Sequence, residues 1–281
     1  MISASAEDEA VSRRSPLRGR RRNCVFLGYH SVTEDGPPYL SLRPGTFERQ
    51  LDLLRAGGFR SGTAATLRRI AAGERLAGRH AFVTFDDGFA DTVTTALPLM
   101  SERALTGMVF VLPAHLDSGA PLDWPEVAGE ASRRPALMRS MDWAMLEQLV
   151  EAGWDVGSHT VSHPRLTALS DEELAQELLD SRRLIEARLG RCELLAYPFG
   201  AWDERVAAAA AASGYSFAFT LPFGGQATAT ALSIPRVTID DRDTPWRFRA
   251  KLSATGRSTL FSQLRPMVRR ALGKRPHSHA E

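Results

Sequence analysis

The feature that most constrains the fold is an alternation. From residue 24 to about residue 240, short β-branched and aromatic runs take turns with stretches of helical periodicity, which argues for parallel β/α units rather than a sandwich. "VFLGYH" (25–30) precedes "TFERQLDLLRAGG", where Phe47, Leu51 and Leu54 recur at helical spacing and the glycines close the helix. "HAFVTFDDG" precedes a helix predicted from about Asp91 to Arg103. "GMVFVLP", "MDWAMLEQLVEAG" and "WDVGSH" follow, and then "SDEELAQELLDSRRLIEARLG". That last helix is the best marked: Ser170 and Glu173 form a capping box, Leu174, Leu178, Ile185 and Leu189 line one face, and Gly190 stops it. "LLAYPFG", "YSFAFT" and "LSIPRVTI" complete the set, and no internal repeat is visible.

Several of these strands end on polar groups: Tyr29-His30, Asp86-Asp87, Ser158-His159 and Tyr197-Pro198. In a barrel of parallel strands all carboxyl ends open onto one face, so these groups are expected to converge. The run "FVTFDDGFAD" (82–91) poses the sharpest question, because a strand that should be buried stops on two adjacent acids. Charge there is costly unless something binds it. "SHTVSHP" places His159 and His163 four residues apart, a spacing that puts both imidazoles on one side of a helical turn, and Asp87 can supply a third ligand. Two histidines and a carboxylate, with positions left for water, suit a catalytic site for zinc or another divalent ion.

"TFDDG", then "HTVSHP" some seventy residues later, then "YPFG", in that order, resembles the polysaccharide deacetylases of carbohydrate esterase family 4, over most of residues 24 to about 250. The resemblance implies a distorted (β/α) barrel in which a metal-activated water attacks the N-acetyl carbonyl of an amino sugar. It makes Asp87, His159 and His163 the metal ligands and Asp86 the general base, so one carboxylate binds the cation and the other stays ionised beside it. It also assigns a backbone N–H in the "AYPFG" loop to the developing oxyanion; the expected donor is the Tyr197 amide. The Tyr197 side chain has two open roles, lining the sugar site or packing in the core.

The chain departs from this pattern in two places. Many family members carry an arginine ahead of the loop to orient the base, where this chain has Ala196; "IPRVTID" offers Arg236 from a late strand as its replacement, the alternative being a surface arginine. Family members also commonly place a histidine on a late strand as the acid, but after His163 only His277 and His279 remain, both near the end of the chain. His30 ends the first strand in "YHSV", which resembles one branch of the family associated with surface and exopolysaccharide deacetylation, and can protonate the leaving amine; a structural bond to a loop carbonyl is its other open role. His115 is a secondary candidate, and His80 is expected at the opposite end. Residues 117–140 interrupt the alternation with Pro, Gly and charge, so they are expected over the site, with Trp124 as a sugar-stacking residue or lid. Trp202, Asp203 and Trp246 are further rim candidates.

Composition sets the remaining expectations. No run approaches the roughly 18 apolar residues of a membrane helix, and the first 23 residues lack the apolar centre of a signal peptide, so the expected location is cytoplasmic, including the inner membrane surface. Two cysteines, Cys24 and Cys192, are too few for a disulfide framework. The net charge of +2 hides an asymmetry: residues 1–22 and 257–281 hold 12 Lys/Arg against 4 Asp/Glu, which leaves 23 against 29 between them. The organisation read from this is a flexible basic tail (1–23), one α/β barrel domain (24–256) and a second basic tail (257–281). Such tails suit peripheral contact with an anionic membrane or simple solvation. The expected activity is removal of N-acetyl groups from a polysaccharide or glycan precursor, with an N-acetylated glycan as partner and no nucleic acid. The rival is a non-catalytic carbohydrate-binding relative.

Overall fold

The first strand, β1 (Cys24–Tyr29), is buried along its whole length, which an apolar run achieves only when both faces are covered. The structure, a computed structural model, describes residues 23–117, 119–221 and 230–253. Within these the strands that follow are β2 (Ser31–Val32), β3 (Ser41–Leu42), β4 (Phe59–Ser61), β5 (Arg79–Phe85), β6 (Met108–Val111), β7 (Asp155–Ser158), β8 (Leu194–Ala196), β9 (Phe217–Thr220), β10 (Ile234–Pro235) and β11 (Val237–Thr238). Eight of them run in parallel in the order β10-β9-β8-β7-β6-β5-β1-β11, with β4 beside the first half of β5. The β1–β5 register sets Cys24 against His80 and Tyr29 against Phe85.

The ring closes through one broken strand. Ile234 and Pro235 pair with Phe219 and Thr220 of β9, whereas Val237 and Thr238 pair with Leu27 and Gly28 of β1. Arg236 lies at the switch, its N–H donating to the Thr220 carbonyl at 2.9 Å. The result is a nearly closed (β/α) barrel in a single domain.

Side chains sort by the period of two. Phe26, Phe82, Phe110, Leu194, Phe219 and Ile234 meet inside the ring, with Phe26 and Phe82 stacked at 4.4 Å. Their alternates, among them Val25, Leu27, Val83 and Phe85, pack outward against helices. These helices are α1 (Pro44–Ala56), α2 (Ala64–Ala71), α3 (Leu97–Ser101), α4 (Ala128–Arg133), α5 (Trp143–Glu151), α6 (Asp171–Leu189), α7 (Glu204–Ala212) and α8 (Pro245–Leu252). In α6 the Ser170–Glu173 capping box is complete, and Gly190 ends the helix at φ 78°. The single helix expected over 91–103 is instead a π turn (Thr92–Ala96) running into α3. Pro98, which lacks an N–H, sits in the first turn of that short helix. α2 lies against the amino ends of the strands, where the Ala64 N–H donates to Asp155 at the start of β7 (2.8 Å).

Both cysteines are buried and neither is in a disulfide. Among the described residues no helix is long and apolar enough to cross a membrane. The two basic tails, with His277 and His279, lie outside the described residues.

Candidate metal centre

The end of β5 builds the first half of the site. Asp86 extends the strand, its N–H donating to the Tyr29 carbonyl at 3.0 Å, and alternation from Phe82 through Thr84 turns its side chain into the ring. The chain then reverses through two left-handed residues, Asp87 at φ 72° and Gly88 at φ 75°. Aspartate tolerates that region better than most side chains.

Arg236 enters from the closing strand, two places round the ring from β5, passes over Gly28 of β1 and reaches Asp86. Its Nη1 and Nη2 donate to Oδ1 and Oδ2 at 2.6 and 2.7 Å, and Nη1 also donates to Thr84 Oγ1 at 2.8 Å. The pair is a bidentate fork buried at both ends, with the guanidinium near the rings of Phe110 and Phe219. Burial by itself raises the Asp86 pKa; the Arg236 charge overrides it, with help from His159, and holds the carboxyl well below the ordinary range.

Asp87 faces the histidines. Its Oδ1 lies 3.3 Å from His159 Nε2 and 3.5 Å from His163 Nε2, all three side chains being buried. Asp87, His159 and His163 each offer a ligand atom within 4.8 Å of the others. His159 Nδ1 lies 2.8 Å from the Ala196 carbonyl, a contact that orients the ring and makes Nε2 the nitrogen that faces Asp87. Among the described residues Asp87 Oδ1 has no hydrogen-bond partner. A buried carboxylate oxygen facing two imidazole nitrogens is a donor set that fits a divalent cation. Burial pushes His163 down to about 3, which keeps it in the neutral form a ligand requires. Burial also acts to lower His159, but the Asp86 and Asp87 carboxylates outweigh it and raise that pKa.

The two histidines do not share a helical turn, contrary to the reading of their spacing. Residues 159–165 form a loop in which Thr160 (φ 74°) and His163 (φ 65°) are left-handed. Such a conformation at a β-branched threonine is a strained one, and local hydrogen bonds over-determine it. Thr160 N–H donates to Ser158 Oγ (3.0 Å) and His163 N–H to Thr160 Oγ1 (3.1 Å). Glu177 of α6 accepts from the N–H groups of Val161 (2.8 Å) and Ser162 (3.1 Å) and from the Ser162 hydroxyl (2.6 Å).

Two expectations are corrected here. The Tyr197 amide donates to the Phe219 carbonyl at 3.0 Å, its ring is 1% exposed, and its hydroxyl donates to the Leu232 carbonyl at 2.9 Å. Both the oxyanion and the sugar-lining roles are therefore closed to it. The N–H groups of Gly200 and Ala201 are also engaged, with Tyr197 and Pro198 carbonyls, and Pro198 has none. Among the described residues this leaves the Phe199 amide, at φ 59°, as the loop's donor without an acceptor. Trp124 is 6% exposed and stacks on His163, ring centroids 4.2 Å apart, so it offers a sugar no platform.

His30 is half-buried at the exit of β1, and its charge acts on Asp86, Asp87 and His163. Among the described residues its side chain makes no hydrogen bond, so the loop-carbonyl role is not realised. The next residues are pinned by half-buried Asp91, which accepts from the Ser31 hydroxyl (2.5 Å) and the Val32 N–H (3.0 Å). His115 ends a 3₁₀ turn after β6, while His80 sits at the opposite end of β5, bonded to the Ala77 carbonyl. Trp202 stacks on Tyr197 at 6.3 Å, Asp203 caps α7, and Trp246 is exposed on α8. Asp91, Glu177 and Phe199 are the contributors that sequence reasoning missed; of these only Asp91 had a signal, as the acid that ends "FDDGFAD".

The polysaccharide deacetylase family profile matches residues 73–218, from just before β5 into β9. Chitooligosaccharide deacetylase of Sinorhizobium fredii is 27% identical over 169 residues, 59% of this chain and 61% of that protein. YxkH of Bacillus subtilis is 21% identical over 198 residues, 69% of this chain and 63% of that protein. The chain thus spans less than two thirds of the length of either relative. Among solved structures, the Streptococcus pyogenes deacetylase PplD in complex with acetate superposes with a TM-score of 0.67 at 20% identity, covering 82% of this chain and 98% of that one. IcaB of Ammonifex degensii gives 0.66 at 21%, covering 84% and 97%. The structural matches speak to the fold, and the profile, which spans just over half the sequence, to the family: this chain belongs to the polysaccharide deacetylases.

Proposed function

We propose that the chain is a metal-dependent hydrolase that removes N-acetyl groups from the amino sugars of a polysaccharide or glycan precursor. The observation that carries this is the convergence of Asp87, His159 and His163 beside the buried Asp86–Arg236 pair at the carboxyl ends of the strands. A divalent cation, zinc being the first candidate, supplies Lewis acidity for the amide oxygen and lowers the pKa of water. Asp87 and the two imidazoles hold it. Asp86 accepts the proton of the attacking water; Arg236 keeps it anionic at any working pH, at a cost in basicity that suits a water already acidified. The Phe199 amide donates to the oxygen that becomes negative. His30, at the exit of β1 beside the end of β5, delivers a proton to the departing amine.

Metal analysis together with acetate release from an N-acetylglucosamine oligomer tests this. His159→Ala or His163→Ala should lose metal and activity together, because two remaining ligands hold a divalent ion poorly. Asp86→Asn should retain metal while turnover falls by roughly two to four orders of magnitude. Stoichiometric metal without acetate release from any N-acetylated glycan would favour the carbohydrate-binding alternative, and full metal occupancy in both histidine variants would dissolve the site.

A further inference from the structure

The two imidazoles of the proposed centre are held in different ways. His159 Nδ1 is anchored at 2.8 Å to the Ala196 carbonyl, the kind of outer contact that ordinarily fixes a metal-binding imidazole. Among the described residues, buried His163 Nδ1 has no hydrogen-bond partner. Two aromatic rings surround His163 instead: Trp124 lies 4.2 Å away and tilted by 31°, and Phe199 lies 4.6 Å away nearly edge-on at 67°.

We infer that Trp124, with Phe199, positions the His163 ring for metal binding in place of the missing hydrogen bond. The inference rests on the reading of Asp87, His159 and His163 as a metal site. A hydrogen bond restricts rotation of an imidazole through its direction; close packing restricts it by contact with the ring's faces and edges. The indole face also attracts positive charge, and an imidazole that donates to a cation becomes more positive, so the contact strengthens on binding.

The surroundings of Trp124 are built for a fixed contact. The 117–140 segment carries a small core of its own, in which Phe89, Leu122, Val127 and Met138 pack with Trp124. Leu122 N–H donates to the Met138 carbonyl (2.7 Å), and Val127 N–H to the Trp124 carbonyl (2.9 Å). The segment is tied back to the loop that carries Asp87, through Ala90 N–H to the Arg139 carbonyl (2.9 Å) and Met141 N–H to the Gly88 carbonyl (2.8 Å). One cover therefore braces both ligand loops. Phe199 is backed in turn by the Arg165 guanidinium, 4.6 Å from its ring centre.

The test titrates the full chain with Zn²⁺ against a chelator and with Co²⁺ followed by visible absorption, alongside far-UV circular dichroism. Trp124→Ala should weaken metal binding by about tenfold or more, the range for losing an outer-shell support, and should change the Co²⁺ spectrum. Trp124→Phe, which restores a ring, should return affinity to within about threefold of the parent. Should Trp124→Ala fail to fold, Trp124→Leu refills the apolar volume without a ring and carries the same expected loss. Unchanged affinity and spectrum in the folded Ala or Leu variant overturns the inference. A parent chain that binds neither ion overturns the metal reading beneath it, a result distinguishable from the first.

Discussion

Substituting Arg236 by methionine removes the guanidinium while keeping an unbranched apolar stem in a site where the native side chain is wholly buried. Three charge-assisted contacts disappear, at 2.6, 2.7 and 2.8 Å, and the Asp86 carboxylate is left inside the ring without a counterion. Breaking a buried pair from one side costs about 3–5 kcal/mol, against a typical total of about 5–15 kcal/mol for a domain. At about 2–4 °C per kcal/mol for a domain of this size, the melting temperature should fall by roughly 6–20 °C. With Arg236 present, the folded pKa of Asp86 lies below its unfolded 3.8, so the stabilisation is complete above 3.8, declines as the pH falls below it and is gone once the pH passes through the lower folded pKa. Without Arg236, burial dominates and pushes the same carboxyl upward. Urea unfolding of the single variant and of Arg236→Met with Asp86→Asn measures the effect; the double variant should recover part of the loss, because no net charge then remains buried at the pair. A single-variant cost below about 1 kcal/mol, the range of an exposed ion pair, would refute the assignment of a desolvated fork.

Other consequences can be checked independently. Asp91 has a folded pKa of about 6 against an unfolded 3.8, because burial outweighs its bonds to Ser31 and Val32. The folded state thus binds the extra proton, and stability should decline by about 3 kcal/mol as pH rises from below 4 to above 6; Asp91→Asn should flatten that dependence in urea midpoints. His30→Ala should retain the metal and slow N-acetyl hydrolysis far more than hydrolysis of an activated acetyl ester, whose leaving group needs little protonation; equal slowing would assign His30 to binding rather than proton delivery. Gly157→Ala would set a methyl group 2.6 Å from Phe110 Cε1 and 2.8 Å from Leu194 Cβ, so the interior must shift, with an expected loss of about 1–3 kcal/mol in thermal or urea unfolding.

Elements governed by local chemistry were legible in the residues. The capping box and Gly190 bound α6, and the polar ends of β1, β5 and β7 do gather on one face. Charge complementarity alone was enough to direct attention from Ala196 to Arg236. What stayed hidden depended on backbone dihedrals or on single-residue register. The spacing of His159 and His163 fits a helical turn as well as a loop, and nothing in "HTVSHP" announces left-handed Thr160 and His163. The difference between Tyr197 and Phe199 is where β8 stops pairing: the Tyr197 amide is still in the ladder, and two residues later the amide is released. Trp124 reads as an exposed platform until the 117–140 segment is seen to bury it in a core of its own. Glu177 faces the metal loop from the middle of a long helix, and nothing in the helical pattern distinguishes it from the solvated acids around it.

The broken closing strand also ties the shape of the ring to its chemistry. Arg236 follows every ligand and the base in the chain, and the two pairs on either side of it are the last links of the ring. A chain that ended at β9 would contain Asp86, Asp87, His159 and His163 but lack the arginine that pairs with Asp86 and the strand that joins β1 to β9. Closure of the ring and pairing of Asp86 thus depend on the same five-residue stretch, 234–238, so a chain shortened before it would lose both together.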